Sequence, residues 1–405
     1  MKYLIIGCGP AALSAAAALR KVDPEGIVTI LSRQDIKPYA RMALPYLLAG
    51  EVEEKDLLLP SPPGTEILLG EEAIRIDTDR REIATAAGRT YPYDRLLIAS
   101  GGTPERPKIG GGGDLPFVFT VRDLPDVTGI RDRIRRGTGH AVIAGAGPVG
   151  LEIGDALHRL GMSITFIVSS KRLFSAMLDL PAAELVRRKL ADKGVEIRTG
   201  DDIARIERDG EVHLKSGERR KSDVVVFGKG VRPSLSFLEG SGIAVDRGVL
   251  VDDRLETNCP GVYAAGDAAQ AFDVVYGDKR VNALWPAAVE QGRVAAMNMG
   301  GFKAFYPGSL SRNVLRVFGI SILAAGRCRE EGPDVRRSET PDSYRKIVLD
   351  RGILKGLISI GEVRNEGLYL GMIKSGADVA TYADSLLRGS YGYGRYLARS
   401  MKIKP

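Results

Sequence analysis

The sequence predicts an α/β chain, with two doubly wound units built on mostly parallel sheets followed by an α+β domain. Three observations predict it. An apolar strand, a glycine turn and a small-residue helix occur twice in the same register. A second strand-to-glycine element also repeats, and the composition changes near Pro307. The first copy runs from the strand Lys2 to Ile6 through Gly7-Cys8-Gly9-Pro10-Ala11-Ala12 into an alanine-rich helix reaching Arg20. The second runs from Ala141 to Ala144 through Gly145-Ala146-Gly147-Pro148-Val149-Gly150 into a helix reaching Leu160. A constant offset pairs Gly7 with Gly145, Gly9 with Gly147, Pro10 with Pro148, Leu13 with Leu151 and Leu19 with Leu157.

Each copy is a G-x-G-x-x-(G/A) pattern between a strand and a helix, the context in which this motif marks a Rossmann-like dinucleotide-binding turn. The first glycine makes the tight turn, the second lets a pyrophosphate reach the backbone, and the third position must be small for the helix to pack on the strand. The helix start then offers N–H groups and the positive end of a dipole to the phosphates. The later repeat supports the duplication. Tyr93 to Gly101 and Ser222 to Gly230 each read as an apolar strand breaking at glycine, before Thr103-Pro104 and Arg232-Pro233 respectively.

Bulk properties set the remaining limits. A chain of 405 residues is too long for one core and divides into about three domains. Its 44% hydrophobic and 27% charged residues are those of a globular protein, and its 49 glycines suggest many tight turns or close approaches to ligand. Gly7, Gly9 and Pro10 interrupt the first apolar run, so it does not read as a secretory signal, and no segment has the roughly 18 apolar residues of a membrane span. The expected location is cytoplasmic. Cys8, Cys259 and Cys328 are widely spaced and contain no C-x-x-C, while His140, His158 and His213 lack metal-ligand spacing, so neither a disulfide framework nor a bound metal is expected. The net charge of +7 suits solubility or attraction of acidic or phosphate-bearing partners, and no nucleic-acid motif accompanies it.

Gly110 to Gly113 reads as a flexible joint without capacity for regular structure. The expected organisation is a discontinuous first domain at 1–112 and 243–306, a second at 113–242, and a C-terminal domain at 307–405. In the last, Asn313 to Ala325, Tyr344 to Leu349 and Ile353 to Ile360 read as strands and Asp378 to Leu387 as a helix.

With these motifs in order, the sequence resembles the FAD-dependent pyridine nucleotide-disulfide oxidoreductase superfamily, with its glutathione-reductase-like pair of Rossmann domains. The residues that carry the resemblance are G-x-G-P-A-A at Gly7, Ala99-Ser100-Gly101-Gly102, G-x-G-P-V-G-L-E at Gly145, and Val262-Tyr263-Ala264-Ala265-Gly266-Asp267. Pro38-Tyr39-Ala40-Arg41, Leu44-Pro45-Tyr46 and the C-terminal domain look most like rubredoxin reductases and the flavin modules of NADH-dependent nitrite reductases. The resemblance implies that Gly7, Gly9, Pro10, Ala11 and Ala12 hold the FAD pyrophosphate. It places Ser100 and Gly101 against FAD, and Asp267, after Gly266, on the ribityl chain. It also puts Arg41 near the flavin or its phosphates, with Trp285 and Gln291 near the isoalloxazine. In the second unit Gly145, Gly147, Pro148, Val149, Gly150 and Gly230 would surround the nicotinamide cofactor, and Glu152 would face the nicotinamide. Glu152 and Arg41 are the residues expected to act in catalysis.

Four departures refine this. Met42 stands where some members carry a redox cysteine, so the disulfide reductase and cysteine-dependent oxidase branches are disfavoured and electrons should leave the flavin directly. Tyr46 replaces the lysine of oxygenase-linked ferredoxin reductases. The strand Val28 to Leu31 runs into Ser32-Arg33-Gln34 rather than the usual ribose-binding acid, which leaves Ser32, Gln34 or a shifted Asp35 to recognise the ribose of FAD, or a weaker hold on it. The matching strand of the second unit, Ile164 to Val168, ends in Ser169-Ser170-Lys171-Arg172. Hydroxyls and cations there suit a 2′-phosphate, which favours NADPH over NADH.

The expected reaction is hydride transfer from NAD(P)H to FAD, then electron transfer to an acidic protein carrier such as rubredoxin or ferredoxin, or to an iron-sulfur subunit. The tail after Asp384 has Arg388, Arg395, Arg399, Lys402 and Lys404, with Tyr391, Tyr393 and Tyr396 and no acid, a composition for docking such a partner or for a homodimer contact. Two other readings are a small acceptor (oxygen, a quinone or nitrite) and a non-catalytic flavoprotein subunit.

Overall fold

The computed structural model describes residues 1–135, 139–332 and 334–392. The chain gathers into two compact units. One comprises Met1–Met42, Glu53–Thr103 and Val231–Ser311; the other comprises Ala43–Val52, Pro104–Gly230 and Arg312–Pro405.

In the first unit the apolar runs form a five-stranded parallel sheet in the order Val262–Ala264, Arg95–Ile98, Lys2–Ile6, Ile27–Ser32, Thr65–Leu69. These strands are apolar on both faces because helices cover the sheet. The strand Lys2–Ile6 lies at the centre, and from it the chain turns into the helix Pro10–Val22. Ala11, Ala12, Ala15 and Ala16 on that helix are buried. Small residues are needed because the helix Trp285–Met299 crosses at contact distance: a Cβ on Gly292 would collide with the Ala11 carbonyl. An antiparallel meander, Ala73–Asp77, Glu82–Thr85 and Thr90–Pro92, is inserted before the fourth strand of the chain's winding.

The second unit repeats this plan. Its parallel sheet runs Val118–Phe119, Val224–Phe227, His140–Ala144, Ser163–Val168, Glu196–Thr199, with the central strand feeding the helix Pro148–Arg159. It too has a meander, Ile203–Ile206, Glu211–Leu214 and Arg219–Lys221. The duplication therefore extends beyond the glycine turns to the parallel sheet and its meander.

The glycine run departs from expectation. Gly110–Gly111 is a short strand, paired in parallel with Arg205 and Ile206. Gly111 has φ +79°, and a Cβ there would collide with the Ile206 carbonyl, so glycine here permits strand pairing rather than preventing it.

The C-terminal segment of the second unit forms a five-stranded antiparallel sheet in the order Arg312–Val317, Ile320–Gly326, Ile353–Ile360, Tyr344–Asp350, Val335–Glu339. Its first hairpin turns on Phe318 and Gly319, both at positive φ, as a two-residue primed turn demands. The helix expected from Asp378 to Leu387 is shorter, Ala383–Leu387, and follows a 3-10 turn at Ala380–Tyr382. A helix Glu366–Ser375 and the edge strand Val335–Glu339 were not expected. Of the tail, Arg388 is exposed and Tyr391 is buried and stacked on Tyr382, whereas Tyr393, Arg395, Tyr396, Arg399, Lys402 and Lys404 lie outside the described residues. No helix among the described residues is long and apolar enough to cross a membrane.

Candidate functional site

Each unit carries a glycine turn that forms the core of a candidate site of its own. In the first, Gly7 takes φ +100°, and a Cβ would strike the Ala99 carbonyl, so only glycine fits between the two strands. At Gly9 a Cβ would meet nothing within 4 Å, so the space above it is open. Gly9 is the N-cap of the helix and brings no side-chain cap; Pro10 follows without an N–H, and the first helical bond runs from Leu13 N–H to the Gly9 carbonyl at 3.0 Å. The N–H groups of Ala11 and Ala12 thus lack intrahelical acceptors, and no acid occupies the first turn to compete for them.

The second turn repeats each feature. Gly145 takes φ +111° against the Gly228 carbonyl, Gly147 faces open space, and Leu151 N–H bonds the Gly147 carbonyl at 2.9 Å. A Cβ on Gly150 would collide with the Gly145 carbonyl, so the third position must be glycine here. Pro148 opens the helix and Val149 is exposed beside it. Open concave backbone, unpaired N–H groups and a helix dipole are what a dinucleotide diphosphate requires, and both turns fit one.

Around the first turn, Arg41 brings a cation. Its guanidinium donates to Gln34 Oε1, lies 5.3 Å from the Tyr39 ring centroid, and is near enough to Cys8 to favour the thiolate. Burial outweighs that effect and pushes the Cys8 thiol up to about 11, so Cys8 is an unreactive thiol at neutral pH. The strand end is occupied by buried Ser32, whose hydroxyl donates to the Gln34 carbonyl at 3.1 Å, and by exposed Arg33. Ser100 Oγ donates to the Ser234 carbonyl at 2.8 Å, Gly101 turns at φ +69°, and its carbonyl accepts from Ser234 N–H. Ser234, a long way off in sequence, therefore fixes this turn, and no motif announced it.

Asp267 is half-buried in the 3-10 turn Gly266–Ala268. That turn is held from behind. Gly266 N–H donates to Gln291 Oε1 at 2.8 Å, and Gln291 Nε2 donates to the Tyr306 hydroxyl at 3.2 Å. Gln291 is 1% exposed, so its amide serves the turn that presents Asp267 rather than an open surface. Tyr306, missed in the sequence, is the buried hydroxyl behind Gln291. Trp285 is half-buried at the first position of its helix.

Beside the second turn stands Glu152, half-buried on the helix Pro148–Arg159, with no hydrogen bond or ion pair among the described residues. Burial alone lifts its carboxyl to about 7. At the end of the neighbouring strand, Ser169 and Lys171 are exposed. Arg172 is engaged inward: Nε donates to the Leu178 carbonyl at 3.0 Å and Nη2 to that of Ser175 at 3.4 Å. Gly230 is exposed at φ +99°, its carbonyl taken by Glu105 N–H. The loop ends at Asp179, which caps the helix Leu180–Ala191 through Ala182 N–H, accepts from the Tyr344 hydroxyl at 2.7 Å and pairs with Lys346 at 3.1 Å. Lys346 is 0% exposed and also reaches Glu331 at 3.1 Å. Its burial depresses the ammonium, and Asp179 opposes that shift. All three cysteines are free thiols, and exposed Met42 leaves no thiol beside Arg41 in that loop.

Comparison with known proteins gives the following. The family model described as pyridine nucleotide-disulphide oxidoreductase matches residues 1–292. The NADH-dependent phenylglyoxylate dehydrogenase subunit epsilon of Aromatoleum evansii is 30% identical, over 97% of this chain and 96% of its own length. The assimilatory nitrate reductase electron transfer subunit of Bacillus subtilis is 29% identical over 94% of this chain, which spans only 50% of that longer protein. Among solved structures, NADH:rubredoxin oxidoreductase from Clostridium acetobutylicum superimposes with a TM-score of 0.80 at 27% identity, covering 96% of this chain and 99% of that one.

Proposed function

That this chain belongs to the pyridine nucleotide-disulphide oxidoreductase family, and is an oxidoreductase, is the premise from which we propose its reaction: it binds FAD in the first unit and NAD(P)H in the second, and delivers electrons to a protein redox carrier or iron-sulfur subunit. When bound, the two cofactors supply hydride exchange and release of electrons singly or in pairs. The residues of the chain bind, orient and tune. Ala11 and Ala12 N–H groups and Arg41 hold the first diphosphate, Asp267 accepts from the ribityl chain, and Ser100, Gly101 and Trp285 line the flavin. The second turn holds the nicotinamide dinucleotide, with Ser169 and Lys171 at its ribose and Glu152 beside the nicotinamide.

The observation that carries this reading is the pair of matching glycine turns, each with its first glycine at positive φ and each open above its second glycine. A protein acceptor is supported by Met42 in the loop where a cysteine would take electrons onward, and by the full-length likeness to a protein named as a dehydrogenase subunit. NADPH is supported by the absence of an acid among Ser169, Ser170, Lys171 and Arg172. The functional division follows the modules 1–112 with 243–306, 113–242 and 307–405, and a cytoplasmic setting completes it. The test is an anaerobic titration of the purified yellow protein with NADH and NADPH separately, then with reduced-carrier detection using rubredoxin, ferredoxin and dyes. Bleaching by either nucleotide with reoxidation by a carrier is expected. A colourless chain, or flavin that neither nucleotide bleaches, overturns the proposal.

A further inference from the structure

The ribose-binding acid that the strand Ile27–Ser32 lacks is, we propose, supplied by Glu72 from the adjoining segment: its carboxylate accepts from the adenosine ribose hydroxyls of the flavin dinucleotide. This rests on the assignment of FAD to the first unit. The three groups offered by the sequence itself are poorly placed. Ser32 is 5% exposed and its proton is committed to the Gln34 carbonyl. Gln34 Oε1, the one acceptor on that side chain, is taken by Arg41. Asp35 is exposed, and no hydrogen bond or ion pair among the described residues holds it in place.

The backbone that carries Glu72 is fixed beside the strand end. Ser32 and Leu69 are partners in the parallel sheet, so the segment after Leu69 emerges beside the one after Ser32. Gly70 N–H donates to the Gln34 carbonyl at 3.2 Å, joining the two. The next two residues diverge. Glu71 turns inward, 2% exposed, and is ion-paired with Arg89; Glu72 remains half in solvent, its backbone carbonyl fixed by Ala86 N–H at 2.9 Å. Across the strand end, the Glu72 carboxylate meets the Arg33 guanidinium at 3.9 Å. Arg33 occupies the place where the acid is expected, so the strand end contributes a cation that retains a carboxylate from the neighbouring segment. A carboxylate on a fixed backbone and drawn towards the strand end in this way accepts a diol at a smaller loss of side-chain freedom than a loose one.

The experiment uses apoprotein prepared from the full-length chain and follows quenching of flavin fluorescence with FAD and with its 2′,3′-dideoxyadenosine analogue. Charged hydrogen bonds of this kind are each worth about tenfold or more in affinity. The parent should therefore favour FAD by about tenfold or more, Glu72→Gln should bind the two ligands within about twofold, and Asp35→Asn should discriminate as the parent does. The proposal is overturned if Glu72→Gln keeps the parent's discrimination, including the case in which it binds both ligands more weakly by the same factor. Equal binding of both ligands by the parent, or loss of discrimination in Asp35→Asn, also overturns it. A parent that takes up neither flavin refutes the assignment of FAD itself, a pattern distinct from all of these.

Discussion

Glu152→Gln isolates the electrostatic cost that the fold places beside the second turn. The carboxyl rises from an ordinary 4.5 to about 7 through burial, and no cation among the described residues offsets it. At roughly 1.4 kcal/mol for each pH unit of displacement, ionising it in the folded protein costs at most about 3 kcal/mol. Residual solvent contact reduces that to about 1–3 kcal/mol. The sign follows from linkage. The folded pKa lies above the unfolded one, so the folded state is favoured while the group is protonated, and that advantage disappears as pH rises from about 4.5 to about 7. Glutamine is the neutral isostere at every pH. Without nicotinamide nucleotide, parent and variant should converge towards about pH 4, below the unfolded value, and the variant should be more stable above pH 7, with a Tm gap of a few degrees. Thermal melts from about pH 4 to 8.5 measure this. A gap that is constant across the range, or a parent that is the more stable at pH 8, refutes the view that Glu152 is a carboxyl raised by desolvation alone.

Other perturbations test the neighbouring assignments. Gly150→Ala puts a Cβ into the Gly145 carbonyl and should weaken NAD(P)H binding about tenfold or more while flavin content, read from the visible spectrum, is unchanged. Lys171→Glu should raise the KM for NADPH about tenfold and leave that for NADH within about twofold, because only the former carries a 2′-phosphate. Lys346→Met leaves the buried Asp179 carboxylate with the Arg337 guanidinium at 3.8 Å as its remaining cation and should cost at most about 3–5 kcal/mol in denaturant titration. Adding Asp179→Asn, which removes the incompletely compensated charge and keeps a helix cap, should recover part of that loss.

The sequence made legible whatever repeats or alternates. The strand Lys2–Ile6 and both glycine turns were readable because fixed backbone geometry demands fixed residue types, and the same demand acts twice in the chain. The run Gly110 to Gly113 misled because residues without side chains carry no hydrophobic pattern; its pairing to Arg205 and Ile206 is made by backbone alone. The helix Glu366–Ser375 was hidden by Gly367 and Gly371, although Tyr369, Met372 and Ile373 at helical spacing mark its buried face. The strand Val335–Glu339 sits at a sheet edge and is mostly polar, so it lacked the apolar signal. Site residues that act through long-range bonds were also invisible: Ser234 on Gly101, Tyr306 behind Gln291, and Lys346 on Asp179 become neighbours only in the folded chain.

The duplication also shows how one scaffold comes to hold two ligands differently. The offset that pairs Gly7 with Gly145 pairs Ser14 with Glu152, one turn into each helix. In the first unit that position is used for structure: Ser14 Oγ donates to the Val289 carbonyl at 2.8 Å and ties the helix Pro10–Val22 to the helix Trp285–Met299. In the second it carries a longer acid with no partner among the described residues. The third position diverges in parallel, alanine at Ala12 and glycine at Gly150, where a single added carbon would meet the Gly145 carbonyl. A turn closed by a second helix suits a prosthetic group that stays bound. A turn flanked by an unpaired carboxyl suits a ligand that arrives and leaves, because each binding event can change the solvation of that carboxyl and hence its charge. NADH binding to the second unit, which brings no 2′-phosphate to titrate, should therefore exchange protons with solvent near pH 7, where Glu152 is about half ionised, and calorimetry in buffers of different ionisation enthalpy would detect it. The proton count should vanish in Glu152→Gln; a count unchanged by that substitution would mean that the carboxyl does not sense the ligand.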